Sequence, residues 1–320
     1  MHLRDRRPVI ALTVLGVLAV AAGVAFMTLG VRGNWGFVLE YRGRKLLGLC
    51  LVAYSIALST VLFQTVTGNR ILTPSIMGFD ALFVLIRTTL VFFFGFGVLV
   101  GLPVQAQFVA EVVVMTAFAA LLFNWLFLRG HRSLHLMVLV GIVFGVLFRN
   151  LSSFMQRMMD PVEFQSLQDT LFASFGRIDP TLLGASCIIV GAASLVAWRI
   201  AHSFDALMLG RERAISLGVP YRRRVATILG IIAVLVSVST ALVGPITFFG
   251  LLVVSLAHVI CGDGRHRFIM PASVLLGIIC LVGGQTVLER VFAFDTALSI
   301  IIEFLGGLVF ILLLVRGAAR

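Results

Sequence analysis

About ten apolar stretches, each of roughly the twenty residues that a helix needs to cross a bilayer, run through this chain of 320 residues. They read approximately as Val9 to Val31, Leu46 to Val66, Gly78 to Leu102, Phe108 to Leu128, Leu134 to Phe154, Thr181 to Ile200, Val225 to Val243, Pro245 to Ile260, Pro271 to Leu288 and Leu298 to Val315. Such a pattern predicts an all-α polytopic membrane protein. The residues between the stretches are too few for a soluble domain of typical size, so one transmembrane domain over 1–320 is expected. Composition agrees: 60% of residues are hydrophobic, 12% are charged and the mean hydropathy is +1.10. That is about half the charge of an ordinary soluble domain. The N-terminal apolar run follows a basic start, MHLRDRRP, but exceeds the core of a cleaved signal and reads as a retained first span.

The net charge is +11. The arginines are dispersed through loops and form no aromatic-interleaved basic face, which argues against a nucleic-acid partner. Orientation explains them better, because Lys and Arg beside spans stay on the cytoplasmic side. A chain that starts inside gathers Arg4, Arg6, Arg7, Arg70, Arg129, Arg132, Arg211, Arg213, Arg222, Arg223, Arg224, Arg265, Arg267, Arg316 and Arg320 in the cytoplasm. Outside fall Arg32, Arg42, Arg44, Lys45, Arg149, Arg157, Arg177 and Arg290, giving an inside excess of about two to one. Ten spans with both termini cytoplasmic follow. Arg42, Arg44 and Lys45 breach the trend and ask for a functional reason.

Lys45 is the one lysine, and it stands in YRGRKLLG. The phosphate-gripping pattern G-x-x-x-x-G-K-[ST] therefore occurs nowhere, and any nucleotide energy must come from another chain. Cys50, Cys187, Cys261 and Cys280 lie in or beside apolar stretches without C-x-x-C spacing, so neither a disulfide frame nor a metal site is expected. The long outer connection from Asn150 to Pro180 predicts a short surface helix after Asp160-Pro161. Gly97-x-x-x-Gly101 and Gly141-x-x-x-Gly145 have the spacing that lets helices approach closely.

Three sites stand out. The cytoplasmic insert FDALMLGRERAISLGVPYRRR predicts two short helices, with Asp205 as a cap, Gly210 as the interruption and Gly218 with Pro220 as the stop. Leu207, Leu209, Ala214 and Leu217 form an apolar stripe suited to a partner's groove, while Arg211, Glu212 and Arg213 stay wet. Thr73, Pro74, Ser75 and Gly78 make a polar break at the start of the third span, which is tolerated at membrane depth only beside protein or a water-filled path. Glu303 in the last span and Arg87 in the third are costly in lipid and should face a cavity or a partner, each other included.

LMLGRERAISLGV resembles the coupling segment of FecCD-type permeases, the iron-siderophore and vitamin B12 branch of bacterial ABC importers. NRILTPSIMGFD at Asn69 to Asp80, ALVGPITFFG at Ala241 to Gly250, and the stretch Arg267 to Gly284 around MPASVLLG resemble further motifs of that family in the same order. The outer piece DPVEFQSLQDTLFASFG resembles the branch for catecholate and related siderophores more than the cobalamin branch. The resemblance implies a type II ABC importer permease fold in the bacterial inner membrane. It implies a path along the seam of a permease dimer, formed with a different chain or a second copy. It implies that Leu207 to Gly218, Gly210 included, dock on one of two ATPase subunits, which hold ATP and magnesium; this chain itself would bind no cofactor and catalyse nothing. It also implies that an extracytoplasmic binding protein delivers a ferric siderophore, or another chelate such as haem or cobalamin, and docks on basic residues that fall here on Arg42, Lys45 and Arg290. Ser152, Met155, Met158 and Met159 would lie near the outer mouth. Where relatives have Pro followed by Asn or His in the eighth span, this chain has Val254-Ser255, so a helix interruption expected there is missing.

Two other classes fit less well. An ion-coupled secondary transporter needs an intramembrane relay, for which Glu303 and Arg87 are sparse. An intramembrane enzyme would show H-E-x-x-H or paired aspartates, whereas His131, His135, His202, His258 and His266 sit near cytoplasmic boundaries without ligand spacing.

Overall fold

A computed structural model describes residues 3–31, 35–125, 134–176, 178–262, 264–290 and 298–315. Every regular element among them is helical. Seven helices are long and apolar enough to cross a membrane. They fall in α1 (Leu3–Thr28), α2 (Trp35–Thr67), α5 (Val104–Phe123), α6 (Leu134–Arg157), α8 (Pro180–Ile200), α11 (Tyr221–Val243) and α13 (His266–Arg290). The broken pair α3 (Phe79–Phe94) and α4 (Phe96–Gly101), with the shorter α12 (Phe249–Cys261) and α14 (Leu298–Val315), complete ten crossing segments among the described residues. The remaining helices are α7 (Pro161–Leu171), α9 (Phe204–Met208) and α10 (Arg211–Ser216).

The interior of the described residues has two large compartments and a small one of Val91, Leu99 and Leu167. In one large compartment, Leu58, Leu62 and Phe63 of α2 pack with α3, α5, α6, α8 and the length of α11. In the other, Leu49, Val52 and Ala53 of α2 pack with α1, α12, α13 and α14. α2 is the shared wall. Burial follows: 67% of the α2 window and 72% of the α11 window lie inside, against 17% for α1. The outward faces of α1, α5, α6 and α8 carry bare Val, Leu and Phe side chains, as lipid-facing helices do.

Three departures from the sequence reading follow from backbone chemistry. The third span does not run unbroken from Gly78 to Leu102. A 3₁₀ turn at Pro74–Met77 precedes it, and Gly95, at φ 80° and ψ 159°, separates α3 from α4. The second span begins well before Leu46, so Arg42, Arg44 and Lys45 ride on helix α2 and not on a loop. α12 has 13 residues, about 20 Å, which is less than the roughly 30 Å hydrocarbon core. The non-helical stretch 244–248 lengthens this crossing, and its entry is held by protein: the Ser174 amide donates to the Val243 carbonyl and the Gly244 amide to the Thr240 carbonyl, each at 2.8 Å. α12 itself is continuous through Val254-Ser255, as their lack of proline predicts.

α7 forms where expected, with Asp160 accepting from the Val162 amide and Pro161 in the first turn. Glu163 of α7 accepts from the Phe96 amide at 3.4 Å and so meets the start of α4. The two glycine spacings diverge. Gly141 and Gly145 of α6 receive Met77 and Gly78, and a Cβ on Gly78 would lie 2.9 Å from the Gly145 backbone. Gly78 is also at φ 93°, so both its conformation and its crowding require glycine. Gly97 and Gly101 meet nothing within 4 Å.

Candidate functional site

The charged insert between α8 and α11 folds as two short helices. Gly210, at φ 92°, turns the chain between them. Gly218, at φ 80°, ends α10: its amide bonds the Ile215 carbonyl, and the Val219 amide bonds the Ala214 carbonyl at 3.0 Å. The expected single apolar stripe is in fact two. Leu207 and Ala214 point inward, 4% and 0% exposed, into the compartment around α11. Leu209 and Leu217 point outward with Met208 and Ile215, beside exposed Arg211, Glu212 and Arg213. Helical periodicity identified the apolar positions but not the sides of so short a helix pair.

Asp205 does not cap its own helix, whose N-cap is Ser203. Its carboxylate instead accepts from the His266 amide at 3.0 Å and the His266 ring Nδ1 at 2.6 Å, thereby capping α13 from 61 residues away. Partial burial would raise the Asp205 pKa, but these hydrogen bonds and the nearby positive charge hold it below the usual carboxylate value. The other ring nitrogen, Nε2, lies 2.6 Å from Thr65 Oγ1 of α2. A cavity of about 210 Å³ opens beside this chain of contacts, lined by Gln64, Arg70, Met208 and His258 among others.

At membrane depth the polar break assembles more than its own residues. Asp80 accepts from Thr247 Oγ1 at 2.8 Å and also from the Ser75 side chain. The Thr247 amide donates to the Glu303 carboxylate. A small polar cavity joins Pro74, Ser75 and Asp80 to Ser59 and Thr60 of α2 and Thr240 of α11. Thr73 is buried beside them, and Gly78 seats the turn on α6. Sequence reading named Thr73, Pro74, Ser75, Gly78 and Glu303 but passed over Asp80 and Thr247. Both lay inside the quoted motifs TPSIMGFD and ALVGPITFFG.

Arg87 and Glu303 do not pair. Arg87 Nε is 2.9 Å from Glu111 Oε1 on α5, its Nη1 donates to the Thr170 carbonyl, and its guanidinium lies 4.6 Å from the Phe83 ring centroid. Glu111 is 1% exposed and sits in the middle of an apolar span, so the spans hold more ionisable groups than Glu303 and Arg87 alone. Only Oε1 of Glu111 meets the guanidinium; its Oε2 is buried without a hydrogen-bond partner. Of the residues expected near the outer mouth, Ser152 and Met155 are buried, while Met158 is exposed.

The basic residues of α2 and Arg290 are tied to neighbouring groups of the chain. Arg42 Nη1 donates to the carbonyls of Phe26, Met27 and Leu29 at 2.9 to 3.2 Å, and Arg290 Nη2 donates to that of Leu29 at 2.5 Å. Together they satisfy the open carbonyls at the end of α1 and complement its dipole. Lys45 is 6% exposed and pairs with Glu289 of α13 at 2.6 Å. Exposed charge describes Arg290 and Arg44, which pairs with Glu40 one turn away, but not Lys45. Sequence separation hid this, since Lys45 and Glu289 are 244 residues apart.

Ten crossing segments, a non-helical break at 244–248 and a charged helix pair at one end define a multi-pass membrane protein. The chain belongs to the FecCD transport family, whose model matches residues 8–316. Among curated proteins it is 45% identical over 304 residues to the petrobactin import system permease protein YclO of Bacillus subtilis (strain 168), covering 93% of this chain and 96% of that one. It is 34% identical over 282 residues to the petrobactin import system permease protein FatC of Bacillus anthracis, covering 88% and 80%. Among solved structures, an inward-facing conformation of a metal-chelate type ABC transporter matches with a TM-score of 0.83 at 21% identity, over 97% of this chain and 99% of that one.

Proposed function

We propose that this chain is one permease subunit of an ABC importer that carries a ferric siderophore inward across the bacterial cytoplasmic membrane, with both termini cytoplasmic. The observation that carries the reading is the outward apolar edge of Met208, Leu209, Ile215 and Leu217, set among wet charges on a helix pair anchored by buried Leu207 and Ala214. A water-exposed edge of this kind, held rigidly, suits the groove of a soluble partner. Membership of the FecCD family and the petrobactin permeases among the relatives support an ATPase as that partner and a siderophore as cargo.

A second permease, a different chain or another copy, completes the path along the seam. Thr73, Pro74, Ser75, Gly78 and Glu303 border it, joined by Asp80 and Thr247. Two ATPase subunits work from below with ATP and magnesium. An extracytoplasmic binding protein docks above, on a face whose exposed positive charge comes from Arg44 and Arg290, while Arg42 and Lys45 hold that face in shape.

The test is uptake into proteoliposomes containing this chain, its co-purifying permease and ATPase, and the binding protein, with ferric petrobactin, haem and cobalamin as separate cargoes. Uptake of ferric petrobactin that requires ATP supports the proposal. Uptake driven by a proton gradient without ATP overturns it, and preference for haem or cobalamin overturns the cargo. Leu209→Asp or Leu217→Asp should abolish ATPase co-purification while leaving the permease's thermal unfolding unchanged.

A further inference from the structure

The contacts described so far between the coupling segment and the spans are mostly apolar, and apolar surfaces slide. Leu207 and Ala214 press on the α11 compartment without fixing a direction. Asp205 is different. Its carboxylate is held at two points by His266, through the backbone amide and through Nδ1. The same imidazole reaches Thr65 through Nε2, and the Phe204 ring lies edge-on to it at a centroid distance of 5.6 Å. His266 and Thr65 are each 5% exposed, whereas the Asp205 side chain is 57% exposed, so the imidazole is a buried bridge between a carboxylate at the surface and α2.

Thr65 sits in the last turn of α2, and α2 leads upward to the path. Thr60, about 7.5 Å higher on the same helix, lines the cavity that holds Ser75 and Asp80. Gly250 of α12 lies against Thr60 and Ile56 so closely that a Cβ there would collide. A displacement of Asp205 therefore reaches a stiff helix that ends beside the gate. The cavity next to His266 gives the ring and Met208 space to move.

Resting on the permease reading above, we propose that His266 is the positioning residue through which the coupling segment moves α2, gripping Asp205 with one ring nitrogen and Thr65 with the other. It touches no cargo. It converts a push on α9 into a shift of α2, whereas the buried leucine and alanine only keep the segment seated.

The experiment uses the complete importer in proteoliposomes, with ferric petrobactin as the probe cargo, and reads cargo moved per ATP hydrolysed. His266→Ala should lower that ratio about tenfold, with ATP turnover within about twofold of the parent. Thr65→Val, close to the parent in shape, should lower it about threefold, and it keeps the measurement available if His266→Ala does not fold. The double variant should be no worse than His266→Ala alone, because both break one line of contact. An unchanged ratio in Thr65→Val, a parallel fall in transport and hydrolysis, or additive losses in the double variant overturns the proposal. Cargo movement by the parent importer without ATP hydrolysis defeats the permease reading instead, since no ratio then exists.

Discussion

The buried Arg87–Glu111 pair shows how a single side chain can decide stability. Each charge is tolerable because the other is 2.9 Å away and Thr170 supplies a further acceptor. Glu111→Leu alone leaves a buried guanidinium without its counter-charge and should cost about 3–5 kcal/mol. Arg87→Met with Glu111→Leu should recover most of that loss in thermal unfolding in detergent. On the outer face, Arg44→Glu should weaken binding-protein docking mainly at low salt, as expected for exposed charge. Lys45→Met should instead lower the melting temperature, since it strands the Glu289 carboxylate. For Asp205 the sign is set by its lowered pKa. Its contribution is present above the unfolded value of about 3.9 and is lost as pH falls through the folded value. Proteolytic opening of the α9–α10 segment should therefore rise in that acid window, and Asp205→Asn should flatten the rise.

Among elements, the contrast between two glycine spacings gives a direct comparison. Gly145→Ala forces the α6 backbone away from Gly78 and should lower stability and transport together, while Gly101→Ala, with open space around it, should change the melting temperature little. Both spacings looked alike in the sequence, and only the neighbour distinguishes them. The same limit explains what was and was not legible. Hydropathy places nearly every crossing segment because lipid rewards length and apolarity along the chain itself. It cannot place the break at Gly95, since glycine is tolerated within an apolar run, nor the non-helical 244–248 stretch, whose entry at Val243 is held by Ser174. The site was half legible: the polar break brought Ser75 to notice and a charge within a span brought Glu303, whereas the Asp80–Thr247 bond spans 167 residues and the Thr65–His266 bond spans 201. Local pattern carries no information about such partners.

At the scale of the molecule, α2 is the wall against which both large compartments are built, and it is made early while its partners come late. Ser55, Ser59, Thr60, Gln64, Thr65 and Thr67 all lie on it and are nearly inaccessible in the finished fold. Ser55, Ser59, Thr65 and Thr67 already bond carbonyls of α2 itself, but until α11, α12 and α13 have been synthesised the face that carries them lacks those helices to pack against. Long-range closure of this kind is slow, because much of the chain must be ordered before it is rewarded. A ribosome-stalled chain ending before Tyr221 should thus remain bound to an intramembrane chaperone or be degraded, and one extended beyond Arg290 should be released. Biogenesis of this permease is gated by its second helix waiting for its eleventh.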